Sequence, residues 1–205
     1  MRATIPVIAA LLFPIIALGN PVVLFEDDFS DPSSPGWQMG PLWEHMSSDS
    51  VREYLYQTSG GFETDTLTSP SIFIPSTADS LELIVPMYLY AYCASMSGGS
   101  FFTHQKILAS SGGSQPQIVW EFYDEEPWAT SWECSWADSQ LISFPSEVWA
   151  PGDSLRLLFV GELSLTGGGY DWIMNLDWRL DSVALLGYGV LSLPSNTWGH
   201  LKAAF

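Results

Sequence analysis

Apolar and polar residues alternate along most of this chain, and the helical period is nearly absent. The alternation is cleanest over 80–93, where Leu81, Leu83, Val85, Met87, Leu89, Ala91 and Cys93 fall on one side. Glu82, Ile84, Pro86, Tyr88, Tyr90 and Tyr92 fall on the other. Successive strand side chains point to opposite faces, so this stretch predicts a strand laying one apolar face on a core. The pattern returns over 153–165, through Leu155, Leu157, Phe159, Leu163 and Leu165, and over 176–186, through Trp178, Leu180, Ala184 and Leu186. Shorter strands are predicted over 22–29, 53–57, 66–73, 101–110, 117–123, 130–136 and 140–144.

Turn-forming residues punctuate these runs at 31–36, 59–61, 97–99, 111–113, 150–153 and 167–169. About ten short strands with regular breaks predict an all-β fold. The expected architecture is an antiparallel two-sheet β-sandwich of jelly-roll topology over 20–190, with a short C-terminal tail over 191–205. In that tail Trp198, Leu201 and Phe205 recur at helical spacing behind Thr197, a possible N-cap. A docking element and a cap folded back on the sandwich both fit that pattern.

The first residues read as a targeting signal. Arg2 precedes an apolar run over 5–18 that Pro6 and Pro14 interrupt, and Ala17-Leu18-Gly19 places small residues where a signal peptidase reads. Cleavage is expected between Gly19 and Asn20. No later stretch is apolar for the roughly 20 residues that a spanning helix needs. The expected location is extracytoplasmic: secreted, periplasmic or at the cell surface.

Charge narrows the partners. Six Lys and Arg stand against 23 Asp and Glu, a formal net charge of −17. Such a surface repels phosphate backbones, so nucleic acid is not an expected partner. Ten Trp and a charged fraction of only 14% argue for a packed core and against disorder. Two cysteines, Cys93 and Cys134, make a disulfide candidate in an exported chain. The alternative is two buried thiols that never meet.

Several short motifs resemble the MAM-like and choice-of-anchor modules, secreted jelly rolls related in shape to concanavalin-type lectins and glucanases. They are Phe25-Glu26-Asp27-Asp28-Phe29 with Pro35-Gly36-Trp37, then Leu67-Thr68-Ser69-Pro70-Ser71-Ile72, then Ser110-Ser111-Gly112-Gly113 with Trp120, and finally Trp178-Arg179-Leu180-Asp181-Ser182-Val183. The four-cysteine pattern of MAM domains is missing, and Ser182 stands where the family usually has a second Asp. The resemblance implies an accessory role in adhesion or glycan binding, often with a structural calcium ion.

Four groups of residues carry candidate chemistry. Glu26 and Asp28 share one strand face, and Asp181 on the closing strand would join them if first and last strands are neighbours; hard oxygen ligands of this kind suit Ca²⁺. A solvated edge with Arg179 pairing one carboxylate is the alternative. Tyr88, Tyr90 and Tyr92 form a ladder that either stacks on the flat faces of sugar rings or packs under a loop. Trp132, Cys134 and Trp136 share a face that reads as core, with Trp128 nearby. Glu121, Asp124, Glu125 and Glu126 bunch before Pro127 as in a turn, and Glu121 and Asp124 fall on opposite faces, unlike the facing acids of a glycosidase. His45, His104 and His200 stand isolated. The expectation is a non-catalytic binding or adhesion module for an extracellular glycan or surface protein. The alternatives are a glycan-active hydrolase of the concanavalin-like fold and a structural envelope component.

Overall fold

The structure is a computed structural model that describes residues 20–46, 49–58, 60–167 and 172–189. The expected signal peptide and C-terminal tail lie outside the described residues. Eleven strands follow in chain order: β1 Val22–Asp27, β2 Gln38–Met39, β3 Trp43–Met46, β4 Ser50–Gln57, β5 Gly61–Thr68, β6 Ile72–Phe73, β7 Ser80–Ser111, β8 Gln117–Ser143, β9 Ser154–Thr166, β10 Trp172–Leu180 and β11 Val183–Tyr188. Every pairing is antiparallel. The fold is the expected all-β sandwich.

Two strands are far longer than the alternation predicted. β7 runs for 32 residues and β8 for 27, and together they serve both layers. The first half of β7 pairs with β11 and then β10, and its second half pairs with β9. β8 follows it along the other side throughout. The expected turn at 97–99 is instead a bend within β7. Gly98 takes a left-handed φ of +77°, and pairing with β8 is irregular around Gly99. Glycine permits that kink without a side chain to clash, so the strand changes sheet and continues. The expected turn before Pro127 likewise becomes the matching bend of β8, where Trp128 holds a φ of +65°.

One layer therefore reads β3-β4-β10-β7-β8 and the other β2-β5-β9-β7-β8, with β11 and β1 extending the first beside β7. Their inner faces meet in a core that includes Trp178, Phe159, Phe101, Leu67, Leu83 and Leu89, all nearly inaccessible. Trp43 and Trp178 meet there edge-on, with ring centroids 5.4 Å apart. Among the buried carboxyls of the described residues, Glu53 is the least accessible. Glu53 on β4 reaches across the sandwich to Gly161 on β9, where any Cβ would strike its carboxyl oxygens. Burial, then the charges of Asp65 and Glu162, hold the Glu53 carboxyl well above the ordinary range.

The expected disulfide is absent. Cys93 and Cys134 are free thiols. Cys93 stands opposite Trp132 and Cys134 opposite Ala91, so the two cysteines are diagonal across β7 and β8. Diagonal neighbours lie about 7–8 Å apart, beyond the separation a disulfide spans without backbone movement. Burial pushes both thiols up to about 12.

Candidate functional site: a tyrosine face on the outer side of one sheet

Inward residues of β4, β7 and β10 are apolar, so their alternates must face outward together. Strand register arranges these alternates in three cross-strand rows. The first runs Glu44, Arg52, Arg179, Tyr88, Ala137. The second runs Tyr54, Asp177, Tyr90, Ser135, and the third Tyr56, Asn175, Tyr92, Glu133. The tyrosine ladder of β7 thus faces a second pair of tyrosines on β4, with β10 between them. Tyr54, Tyr56 and Tyr88 are 38%, 56% and 36% exposed.

Two of the chain's six basic residues brace this face. Arg179 grips the largely buried Asp177 with two parallel hydrogen bonds, one of them 2.8 Å from Nε to Oδ1. Its guanidinium also stands 5.0 Å from the Tyr88 ring centre. Arg52 donates to Glu44 at 2.7 Å and stands 4.4 Å from the Tyr54 ring centre. Bidentate pairing and ring contact orient Arg179, and a contact to one Glu44 oxygen with the Tyr54 ring orients Arg52. Asn175 Oδ1 is buried without a hydrogen-bond partner. The Tyr90 phenol is pushed up by burial first, and then by Glu133 and its neighbouring tyrosines, so it remains a neutral hydroxyl. The face combines aromatic rings, neutral hydroxyls and a nearly balanced set of charges.

The three carboxylates expected to gather around calcium do not all meet. β1 does pair with β11, and Glu26 stands opposite Ala184. Glu26 and Asp28 line an open pocket of about 390 Å³ with Asp27, Ser30, Asp31 and Pro35. Hydrogen bonds from Ser30 lower the Asp28 carboxyl, and those from Ser33 lower Asp31. Asp27 accepts from the Trp37 indole at 2.8 Å and from the Phe29 amide. Asp181 does not line that pocket. It sits between β10 and β11, where its amide donates to the Pro86 carbonyl and its charge acts on Arg179. Among the described residues no three His, Cys, Asp or Glu side chains stand close enough to hold a metal ion.

The opposite outer face carries a constellation that the isolated histidines did not announce. His104 Nε2 lies 3.0 Å from Glu121, and its Nδ1 lies 3.4 Å from Glu162. Lys106 pairs with the same Glu162. Phe62, Phe102 and Tyr123 line up beside them, with centroid spacings of 6.2 and 5.8 Å. Asp124 stands opposite Thr103 on the inner side, so Glu121 and Asp124 do face opposite ways.

No family model and no curated protein matches the chain. Among solved structures it is similar to the K3 cleaved adhesin domain of Lys-gingipain from Porphyromonas gingivalis, at 14% identity and a TM-score of 0.35, covering 79% of this chain and 98% of that one. It is similar also to TmCBM61, solved with β-1,4-galactotriose, at 11% identity and a TM-score of 0.33, covering 77% and 89%. A family two carbohydrate esterase from Cellvibrio japonicus follows at 11% identity and 0.23, the match spanning 37% of that chain. With no family match, MAM-like or choice-of-anchor membership remains a resemblance of motifs, and the functional reading rests on this chain's own side chains.

Proposed function

We propose that this chain is an extracytoplasmic, non-catalytic binding module whose tyrosine face takes a neutral glycan. The observation that carries the reading is the row-by-row placement of Tyr54, Tyr56, Tyr88, Tyr90 and Tyr92 on one outer face. Flat rings of this kind stack on the apolar faces of sugar rings while phenol hydroxyls meet sugar hydroxyls. Arg52, Arg179 and Glu133 add directional polar groups at the margins. Charge supports a neutral ligand, because a chain of net −17 repels acidic polymers while this face is close to balanced. The non-catalytic part of the reading is supported by Glu121 and Asp124, which point to opposite sides of β8.

The test is binding of the chain lacking residues 1–19 to an array of neutral and acidic glycans. Retention on neutral glycans without release of new reducing ends is expected. Loss of that retention in Tyr56→Ala and Tyr88→Ala, at unchanged melting temperature, assigns it to this face. Retention that survives both substitutions rejects the assignment. Calcium is the smaller part of the proposal. Glu26 and Asp28, which line the same open pocket, would supply the carboxylate oxygens. A melting temperature that rises with added Ca²⁺ over EDTA supports it through mass action, and superimposed curves oppose it.

A further inference from the structure

The two sheets share an open margin. β8 pairs with β7 along one side, and among the described residues its other side pairs with nothing. A row of unpaired main-chain donors and acceptors is a template for another strand, and native chains usually blunt it with lysines, prolines, bulges or short length. The middle of β8 is blunted in this way, by Pro127, the left-handed Trp128 and the irregular pairing opposite Gly99. The stretch 131–143 is not. Its pairing with 82–94 runs without a register shift, and it contains no proline and no lysine.

The side chains along this margin suggest what would add to it. β8 carries Glu121, Asp124, Glu125, Glu126, Glu133 and Asp138 and not one basic residue. Where its two halves meet across the sandwich, a crevice of about 370 Å³ opens between Trp120, Phe122 and Trp136, with Asp138 and Gln140 at its margin. The rings touch one another, with Trp136 5.9 Å from Trp120 and 5.4 Å from Phe122. The Trp136 indole N–H is buried there without a partner. Leu141, 64% exposed, points to the outer side of the same strand.

We infer that the 131–143 edge of β8 captures an extended, cationic segment of a protein partner by strand addition. Main-chain hydrogen bonds supply the pairing, and alternate side chains supply the choice of partner. Inward-pointing apolar side chains of the segment enter the crevice beside Asp138, while its outward-pointing Lys and Arg meet Glu133 on the outer face. A second copy of this chain is the weaker occupant, because it would bring acid against acid.

The probe is a nine-residue peptide of alternating Lys and Val. Its controls are the Glu–Val counterpart and a Lys–Val analogue N-methylated at alternate main-chain positions, which retains charge and side chains but cannot pair. Hydrogen exchange of the chain lacking residues 1–19 should slow at 131–143 with the Lys–Val peptide and not with the Glu–Val one. Binding should weaken by at least about tenfold for the methylated analogue, which corresponds to about 1.4 kcal/mol. The pair Glu133→Lys with Asp138→Lys should weaken it similarly. Glu133→Gln with Asp138→Asn serves as a milder pair should the reversal disturb folding. Equal binding of the methylated analogue would show charge attraction only and overturn the inference. So would protection at β1 or β3 instead of β8, or a dimer of this chain that occupies the edge and excludes the peptide.

Discussion

The tyrosine face and the histidine face are made by the same means. Each is the outward-pointing half of a sheet to which β7 and β8 contribute, and each carries exposed aromatic rings. Exposure does not separate them: Tyr56 is 56% exposed, and Phe62 and Tyr123 are 53% and 49%. The difference lies in where the charges go. On the tyrosine face, carboxylates hold the arginines, and five rings spread over two strands on either side of β10. On the histidine face, His104, Lys106, Glu121 and Glu162 occupy the centre and engage one another, and Tyr123 donates its hydroxyl to Glu125. The histidine face is charged at its centre, whereas the tyrosine face presents a ring in each of its three rows and so offers a neutral ligand more ring surface to stack on. Aromatic content alone therefore does not nominate a binding face; the arrangement of rings and charges across it does.

The comparison breaks most completely at the core that both faces share. Trp178 is wholly buried between Trp43 and Phe159. Trp178→Ala should cost about 3–5 kcal/mol in denaturant unfolding, and both faces should be lost together. A drop confined to glycan binding, with stability intact, would mean that the two sheets do not share one cooperative core.

It sharpens next at the rings themselves. Joint substitution Tyr88→Ala and Tyr92→Ala should weaken glycan binding by about tenfold or more, about 1.4 kcal/mol, in titration calorimetry. Joint substitution Phe62→Ala and Tyr123→Ala should leave it unchanged. Equal losses on both sides would erase the distinction.

Beneath the two faces, Glu53 gives a pH-dependent contrast. Its folded-state affinity for a proton is raised by burial, so its contribution to stability is fully present below the unfolded carboxyl value. That contribution is lost as pH rises through the folded value. Glu53→Gln should therefore raise the melting temperature at pH 8 by a few degrees, about 1–2 kcal/mol, and do little at pH 4. Matched melting curves of the two proteins at pH 4 and pH 8 test this. A gain of equal size at both pH values would show that the carboxyl is not strained.

The smallest effect is expected at Glu121. It is 55% exposed on its side chain beside His104, and such pairs contribute little in water. Glu121→Gln should shift unfolding by no more than about 0.5 kcal/mol and leave glycan binding untouched. A larger shift in thermal unfolding would show that the His104 cluster acts as a network.

Much of this was legible from alternation. The inward set Leu81 to Cys93, the placement of Trp178 and Leu180 in the core and the outward ladder Tyr88, Tyr90, Tyr92 all follow from a period of two. The other half of the tyrosine face was missed, although Arg52, Tyr54 and Tyr56 alternate with buried Val51, Glu53 and Leu55 just as clearly. Eight residues with a glutamate among the inward positions made a weak signal beside β7. Bends were misread as turns at 97–99 and before Pro127, because glycine and proline mark a change of backbone direction without saying whether pairing resumes.

What the amino-acid sequence determined by itself was local: which residues of each strand share a face, and therefore that the chain is an all-β sandwich with a deeply apolar interior. What only the tertiary structure decided was adjacency between strands distant in sequence. Register set β10 between β4 and β7, which brought Tyr54 and Tyr56 into line with Tyr90 and Tyr92 and put Arg179 beside Tyr88. The same register moved Cys93 and Cys134 two positions out of line and left Asp181 out of the pocket that Glu26 and Asp28 share. Period-two alternation states the side to which a residue points and is unchanged when a strand slides by two, so neighbours across strands become known only when hydrogen-bonded pairing fixes the register.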